Sequence, residues 1–87
     1  MANDIFKIIQ DHLAKRLGID EEEKSNISRE TTFDELNKEY KFDSLDRIEF
    51  VMEIEAYFSV SIPDDVFERM VTLGDLENTL KNLIDAH

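Results

Sequence analysis

The 87-residue sequence contains no cysteine, a single proline and two glycines. Without cysteine, disulfide bonds, thiol nucleophiles and cysteine metal sites are excluded. No apolar run approaches the roughly 18 residues that span a membrane, and residues 1–4 lack the basic and apolar regions of a secretory signal. We therefore expect one small domain over residues 1–87, in the cytoplasm and without a membrane span.

Basic residues are also scarce, since 10 lysines and arginines stand against 21 aspartates and glutamates, and the formal net charge is −11. A surface of this charge repels nucleic acid, so no nucleic-acid partner is expected, and it attracts basic protein surfaces. Solubility alone is an alternative reason for the acidity. The hydrophobic residues, 41% of the chain, are periodically spaced, which excludes a disordered chain.

The spacing of the apolar residues predicts helices and no strands. A first helix over residues 4–17 ends at Gly18, a typical left-handed C-cap. A second helix spans residues 44–58, and a third spans residues 73–85 with Thr72 as its N-cap. These are the three main helices of the predicted domain.

The segments between these helices are less regular. Residues 19–42 form a long polar connection, in which we expect short turns at most. The segment Ser59-Val60-Ser61-Ile62-Pro63-Asp64 breaks the second helix, because the residue before a proline disfavours helical geometry. A short helix then runs from Asp64, as its cap, to Met70. The predicted fold is therefore all-α, a small up-and-down bundle of three main helices plus one short helix.

The second helix carries two apolar stripes when its residues are placed at intervals of 100°. One stripe is suited to the core and consists of Phe50, Val51, Ile54 and Phe58. The other lies on roughly the opposite side and consists of Leu45, Ile48 and Met52, flanked by the carboxylates of Asp46, Glu49, Glu53 and Glu55. Either other helices cover both stripes, or the second stripe is exposed as a docking surface for a basic partner.

Ser44 stands in the first turn of this helix, where backbone N–H groups lack partners and the helix dipole is positive. Such a position is favourable for a phosphate group. Asp43, just before it, is suited to capping the helix or to helping hold a metal ion during a modification. By itself, the triplet Asp-Ser-Leu occurs often by chance.

Other chemistry is poorly supported by the sequence. A serine nucleophile needs a base, and the histidines are His12, within the first helix, and His87. No G-x-S-x-G motif is present, so we do not expect a hydrolase. The acidic segments lack the alternating oxygen ligands and central glycine of an EF-hand loop, so no metal site is predicted.

The chain resembles an acyl carrier protein over nearly its full length. The matching segments are Leu17-Gly18-Ile19, Phe33-Asp34-Glu35-Leu36, Asp43-Ser44-Leu45-Asp46, Glu49-Phe50-Val51-Met52-Glu53-Ile54-Glu55, Phe58, Ile62-Pro63-Asp64-Asp65 and Thr72-Leu73. Their order and the spacing after Ser44 agree with the family. By this resemblance the chain is identified as a member of the acyl carrier protein family, a phosphopantetheine-binding carrier domain.

This resemblance implies that Ser44 receives a 4′-phosphopantetheine arm from coenzyme A, transferred by a phosphopantetheinyl transferase (a holo-acyl-carrier synthase). The arm would carry acyl intermediates as thioesters, and the chain itself would be a non-catalytic monomer. Its partners would be acyl-transfer, ketosynthase and reductase-type enzymes with basic docking patches. The docking residues would be Asp43, Leu45, Asp46, Ile48, Glu49, Met52, Glu53 and Glu55.

Two readings of the function remain open at this point. A carrier could serve fatty-acid biosynthesis or a specialised pathway of the polyketide or lipid type. The alternative is an unmodified helical interaction module that uses the acidic second helix. The chain also departs from the family pattern: six residues, 37–42, stand where about two are usual, and Arg47 lies on the core side, where we expect it to reach a loop acid.

Overall fold

The computed structural model describes residues 4–86, which form helices joined by short loops. Four helices have eight or more residues, and two are shorter. In chain order they are α1 (Ile5–Leu17), α2 (Glu21–Lys24), α3 (Phe33–Tyr40), α4 (Ser44–Phe58), α5 (Asp64–Arg69) and α6 (Leu73–Asp85). The predicted all-α class is confirmed, and the three main predicted helices correspond to α1, α4 and α6. One of the two histidines, His87, lies outside the described residues.

The ends of the main helices are set by the predicted local signals. Gly18 follows α1 with φ 72°, and its N–H bonds the carbonyl oxygen of Ala14, so the left-handed cap is confirmed. Thr72 caps α6 by accepting a bond from the N–H of Asp75, whose carboxylate bonds back to the N–H of Thr72. This reciprocal arrangement is a capping box, and it fixes where α6 begins.

The connection over residues 19–42 is more ordered than predicted, because it contains α2 and the eight-residue helix α3. Thr32 and Glu35 form a second capping box at the start of α3, with Oγ1 of Thr32 accepting from the N–H of Glu35 at 3.0 Å. The sequence signal for this helix was therefore a threonine followed three residues later by glutamate. The prediction that Asp64 caps α5 was wrong: the residue at the N-cap position is Pro63, and it makes no side-chain capping bond.

The core lies where α1 packs against α4 and α6. Its fully buried side chains come from four helices and include Ile9, Leu13, Leu36, Phe50, Ile54, Leu73, Leu76 and Leu80. The burial of these apolar groups supplies most of the favourable free energy of folding in a domain of this size.

The loop before α3 is fastened to α6 by backbone and side-chain contacts. Thr32 and Thr72 form an isolated antiparallel bridge, so the starts of α3 and α6 lie side by side. Arg29 donates to the carboxylate of the buried Glu77 through Nε at 2.6 Å and Nη2 at 3.1 Å. The N–H of Gly74 bonds the carbonyl oxygen of Arg29 at 2.9 Å. The loop backbone therefore runs directly over the first turn of α6.

Gly74→Ala is expected to destabilise the domain by about 1–3 kcal/mol, because an added Cβ overpacks this contact. The Cβ would lie 2.9 Å from the carbonyl oxygen of Arg29, a backbone atom that cannot move without shifting the loop. The higher helix propensity of alanine, about 1 kcal/mol, only partly offsets this loss. Urea denaturation measures the difference, with the exposed Asn78→Ala on the same helix as control. A variant more stable than the parent would contradict the close contact.

The short helix α5 contains no fully buried residue, and two side chains of α4 hold its flanks. Glu55 accepts a hydrogen bond from the N–H of Ile62, just before α5, at 2.5 Å. Arg47 donates from Nη2 to the carbonyl oxygens of Phe67 at 3.0 Å and Met70 at 2.7 Å, at the other end. Its guanidinium also lies 4.3 Å from the ring centroid of Phe33. The expectation that Arg47 reaches a loop acid was therefore wrong: aromatic faces and carbonyl oxygens surround it.

Candidate functional site at the start of α4

The N-terminus of α4 is held by a third capping box. Asp43 precedes the helix in extended geometry and accepts a bond from the N–H of Asp46 at 3.0 Å. The carboxylate of Asp46 in turn accepts from the N–H of Asp43 at 3.2 Å. Both carboxylates are therefore used to fix the helix start, and Asp43 acts as the predicted cap.

Ser44 is the first residue of α4, and its side chain is exposed. The N–H groups at such a position have no intrahelical partner, so they add partial positive charge beside the hydroxyl. A hydroxyl displayed there is accessible to another protein and is well placed to carry a phosphate ester.

The turn before Ser44 is short and anchored by one aromatic side chain. Lys41 ends α3 with φ 58°, and its N–H bonds the carbonyl oxygen of Asn37 at 2.9 Å. Phe42 is buried and packs edge-on against Phe50, with ring centroids 5.9 Å apart. Residues 37–40 therefore belong to the last part of α3, and Phe42 is a core anchor one residue before Asp43.

The two apolar stripes of α4 are separated as predicted. Phe50, Val51 and Ile54 are buried in the core, and Phe58 is half-buried. The opposite stripe is open to solvent, with exposed fractions of 63% for Leu45, 44% for Ile48 and 61% for Met52. The alternative in which other helices cover both stripes is excluded, and we call Leu45, Ile48 and Met52 the exposed stripe.

The carboxylates beside the exposed stripe are already engaged in internal contacts. Glu53 lies 2.6 Å from Nδ1 of His12 and 3.2 Å from Nη2 of Arg16, both on α1. Glu49 lies 3.4 Å from Nη1 of the same arginine. The carboxylate of Glu55 bonds the N–H of Ile62. None of these internal partners was predicted from the sequence.

The hydrogen bond from His12, together with the contacts of Arg16, holds the pKa of Glu53 below its usual value, although partial burial opposes the shift. A carboxyl group whose pKa is lower in the folded state stabilises the fold above its unfolded pKa of about 4.3. That contribution is lost as the pH falls through the lower pKa of the folded state.

We therefore expect the stability difference between the parent and Glu53→Gln to be largest near neutral pH and to shrink as the pH falls below about 4.5. Its size is expected to stay below about 1 kcal/mol, because the pair is partly exposed to solvent. Thermal melts between neutral and acidic pH measure it. The exposed Glu22→Gln is the control. A difference that grows on acidification would contradict this assignment.

Among the described residues, neither a histidine base nor a metal site lies at Ser44. Glu53, the partner of His12, is nine residues beyond Ser44, or about 13 Å along the helix axis. Over residues 4–86, acidic and histidine side chains form no group of three or more that could hold a metal ion. In the same range no helix is long and apolar enough to cross a membrane.

Comparison with known proteins identifies the class of this domain. Residues 7–80 match the family described as "Phosphopantetheine attachment site". The chain is 34% identical to an acyl carrier protein of Karelsulcia muelleri over 83 residues, which cover 95% of this chain and 93% of that protein. It is 36% identical to an acyl carrier protein of Clostridium acetobutylicum over 78 residues, covering 88% and 92%.

A helical domain that matches a phosphopantetheine attachment site over most of its length is a carrier domain. This chain belongs to the acyl carrier protein family. The suspected resemblance is confirmed, as is the cofactor, a covalently attached 4′-phosphopantetheine. A carrier domain works with a phosphopantetheinyl transferase and with acyl-handling enzymes. The exposed hydroxyl of Ser44, beside the free N–H groups of a helix start, fits the phosphate end of such an arm.

Proposed function

We propose that Ser44 is the attachment residue and that the chain carries acyl groups as thioesters on the arm, without catalysing a reaction of its own. The observation that carries this proposal is the exposure of Ser44 at the start of a helix whose second apolar stripe is also exposed. Attachment needs an accessible hydroxyl, and delivery needs a surface that other enzymes can bind.

For the attachment reaction, the carrier needs to supply only an accessible hydroxyl at the helix start. The hydroxyl oxygen of Ser44 would bond to the phosphorus of coenzyme A that bears the pantetheine, while the phosphoanhydride bond breaks and 3′,5′-adenosine bisphosphate leaves. The hydroxyl proton passes to a base of the transferase or to water. The resulting phosphodiester carries one negative charge, which the helix N-terminus stabilises by about 0.3–1 kcal/mol.

The docking residues proposed for the transferase and for acyl-transfer, ketosynthase and reductase-type enzymes begin at Asp43 and follow Ser44 along α4. The exposed stripe would supply apolar contact, and the predicted acidic docking residues at 43, 46, 49, 53 and 55 would attract basic patches, less strongly at Glu49 and Glu53 because both already contact Arg16. A monomer in the cytoplasm suits such encounters. Both fatty-acid biosynthesis and a specialised polyketide or lipid pathway are compatible with this surface.

Intact-mass spectrometry of the apo chain after incubation with coenzyme A and a broad-specificity phosphopantetheinyl transferase tests the proposal. We expect a gain of one phosphopantetheinyl mass, and peptide mapping should place it on the peptide that contains Ser44. A carrier protein that the transferase is known to modify, treated in parallel, shows that the transferase is active.

The second candidate function is an unmodified interaction module, which the exposed stripe favours because it can bind a partner whether or not Ser44 is modified. A chain that gains no mass with several transferases, while the control carrier is fully modified, would support this candidate. It would contradict the proposal that Ser44 carries the arm.

A further inference from the structure

Four polar side chains between α1 and α4 form an ion cluster that consists of His12, Arg16, Glu49 and Glu53. Arg16 is central to this cluster, because its two terminal nitrogens contact the carboxylates of Glu49 at 3.4 Å and Glu53 at 3.2 Å. His12 contacts the second oxygen of Glu53 at 2.6 Å, and its ring packs edge-on against Tyr57 at 5.2 Å. Within the cluster, each carboxylate already faces a cation or a hydrogen-bonding histidine.

The other flank of the exposed stripe is different. An open groove of about 360 Å³ lies between α4 and α5, with Ile48, Met52 and Phe67 among its apolar lining residues. Asp64 and Glu68 of α5 form its acidic edge and are exposed. Over residues 4–86, no lysine, arginine or histidine forms an ion pair with either carboxylate. The nearest basic residue in sequence, Arg69, contacts Asp65 instead.

We propose that Arg16 is a specificity-determining residue of the docking surface: by holding Glu49 and Glu53, it directs the basic groups of a partner protein to Asp64 and Glu68 on the α5 side. The occupant of the groove is a basic protein surface that places an apolar side chain between α4 and α5 and lysines or arginines beside it. The inference rests on the proposed function in one respect, since that partner is a transferase or an acyl-handling enzyme.

The pairing of the carboxylates explains why basic groups of a partner would bind on the α5 side. A cation that approaches Glu49 or Glu53 shares the carboxylate with Arg16 and is repelled by its charge, so it gains less there. A cation that approaches Asp64 or Glu68 meets carboxylates without a competing base. The two flanks lie on opposite sides of the exposed stripe. A partner whose basic residues face α5 should therefore bind more tightly than a partner whose basic residues face α1.

The test compares matched pairs of isosteric substitutions by the kcat/KM of arm transfer at low ionic strength. We expect Asp64→Asn with Glu68→Gln to lower kcat/KM about tenfold, and Glu49→Gln with Glu53→Gln to lower it only about twofold. In an Arg16→Gln background, the second pair should become about as harmful as the first. Both differences should decrease at high salt, where exposed charges are screened.

Two results would overturn the role of Arg16. One is an effect of the Glu49 and Glu53 pair, in the parent background, as large as that of the α5 pair. The other is an unchanged ratio between the two pairs after Arg16→Gln. Thermal melts of every variant show whether a loss of transfer reflects loss of fold.

A second readout does not depend on modification of Ser44. A lysine-rich amphipathic helical peptide is titrated into the ¹⁵N-labelled apo chain, and amide shifts are followed by NMR. In the parent we expect the largest shifts at α5 and the facing side of α4, and in Arg16→Gln we expect them to extend to α1. Largest shifts at α1 in the parent would overturn the inference. If the transferase leaves the parent unmodified, the proposed attachment fails and this titration alone decides the role of Arg16.

Discussion

Ser44→Ala is expected to abolish the gain of a phosphopantetheinyl mass completely, because the substitution removes the oxygen that would form the phosphodiester. The fold should be retained. Ser44 is exposed, the capping box at the start of α4 uses Asp43 and Asp46 instead, and alanine is the residue with the highest helix propensity. Loss of loading with an unchanged melting curve would therefore assign the defect to the hydroxyl alone.

The matched control for this variant is Ser61→Ala, which removes an exposed hydroxyl from the loop before α5. This variant should gain the same mass as the parent at the same rate. Modification of the Ser44→Ala chain at another residue would contradict the assignment of the arm to Ser44. It would leave the membership of the family intact.

Phe50→Ala is expected to destabilise the domain by about 3–5 kcal/mol, the usual range for removing a fully buried aromatic side chain. Phe50 has no exposed surface and supports the ring of Phe42, which anchors the turn before Asp43. Small domains have only about 5–15 kcal/mol of stability, so this loss should lower the melting temperature by more than about 10 °C.

Met52→Ala is the control, because Met52 lies on the same helix with 61% of its surface exposed. It should change stability by less than about 0.5 kcal/mol. Equal melting temperatures for Phe50→Ala and the parent would mean that the buried and exposed stripes of α4 have been exchanged. Circular dichroism melts of the three proteins distinguish these outcomes.

The sequence predicted those parts of the fold that depend on a repeated apolar spacing or on a capping residue at the helix end. The extent of α4 could be predicted because its apolar residues recur over four turns and a proline follows at residue 63, and the end of α1 because Gly18 supplies a left-handed cap. Helix α3 was missed because it buries only Phe33 and Leu36, too few for a periodic pattern. Its beginning depends on a capping box that is easily taken for part of a polar loop.

At the site, too, features within one helix could be predicted and contacts between distant residues could not. The position of Ser44 in the first turn of α4 and the exposed stripe could be predicted, because both follow from the spacing of residues along one helix. The engagement of Glu53 could not, since His12 and Arg16 are 41 and 37 residues away in the chain. Arg47 was misassigned for the same reason: its carbonyl acceptors lie 20 and 23 residues further on. Such contacts between residues distant in the chain form only when the helices pack, so the local sequence does not predict them.

The way in which α5 is attached has a consequence for local opening. No side chain of the helix is fully buried, since Val66 and Phe67 only partly pack against the core, and the polar contacts that hold its flanks come from Glu55 and Arg47 of α4. A segment with so little buried surface opens at a free energy well below that of the whole domain. Its amide hydrogens should therefore exchange with solvent deuterium before those of α1, α4 and α6, while the core remains folded. The boundary between the parts that exchange early and late should follow the α4–α5 groove.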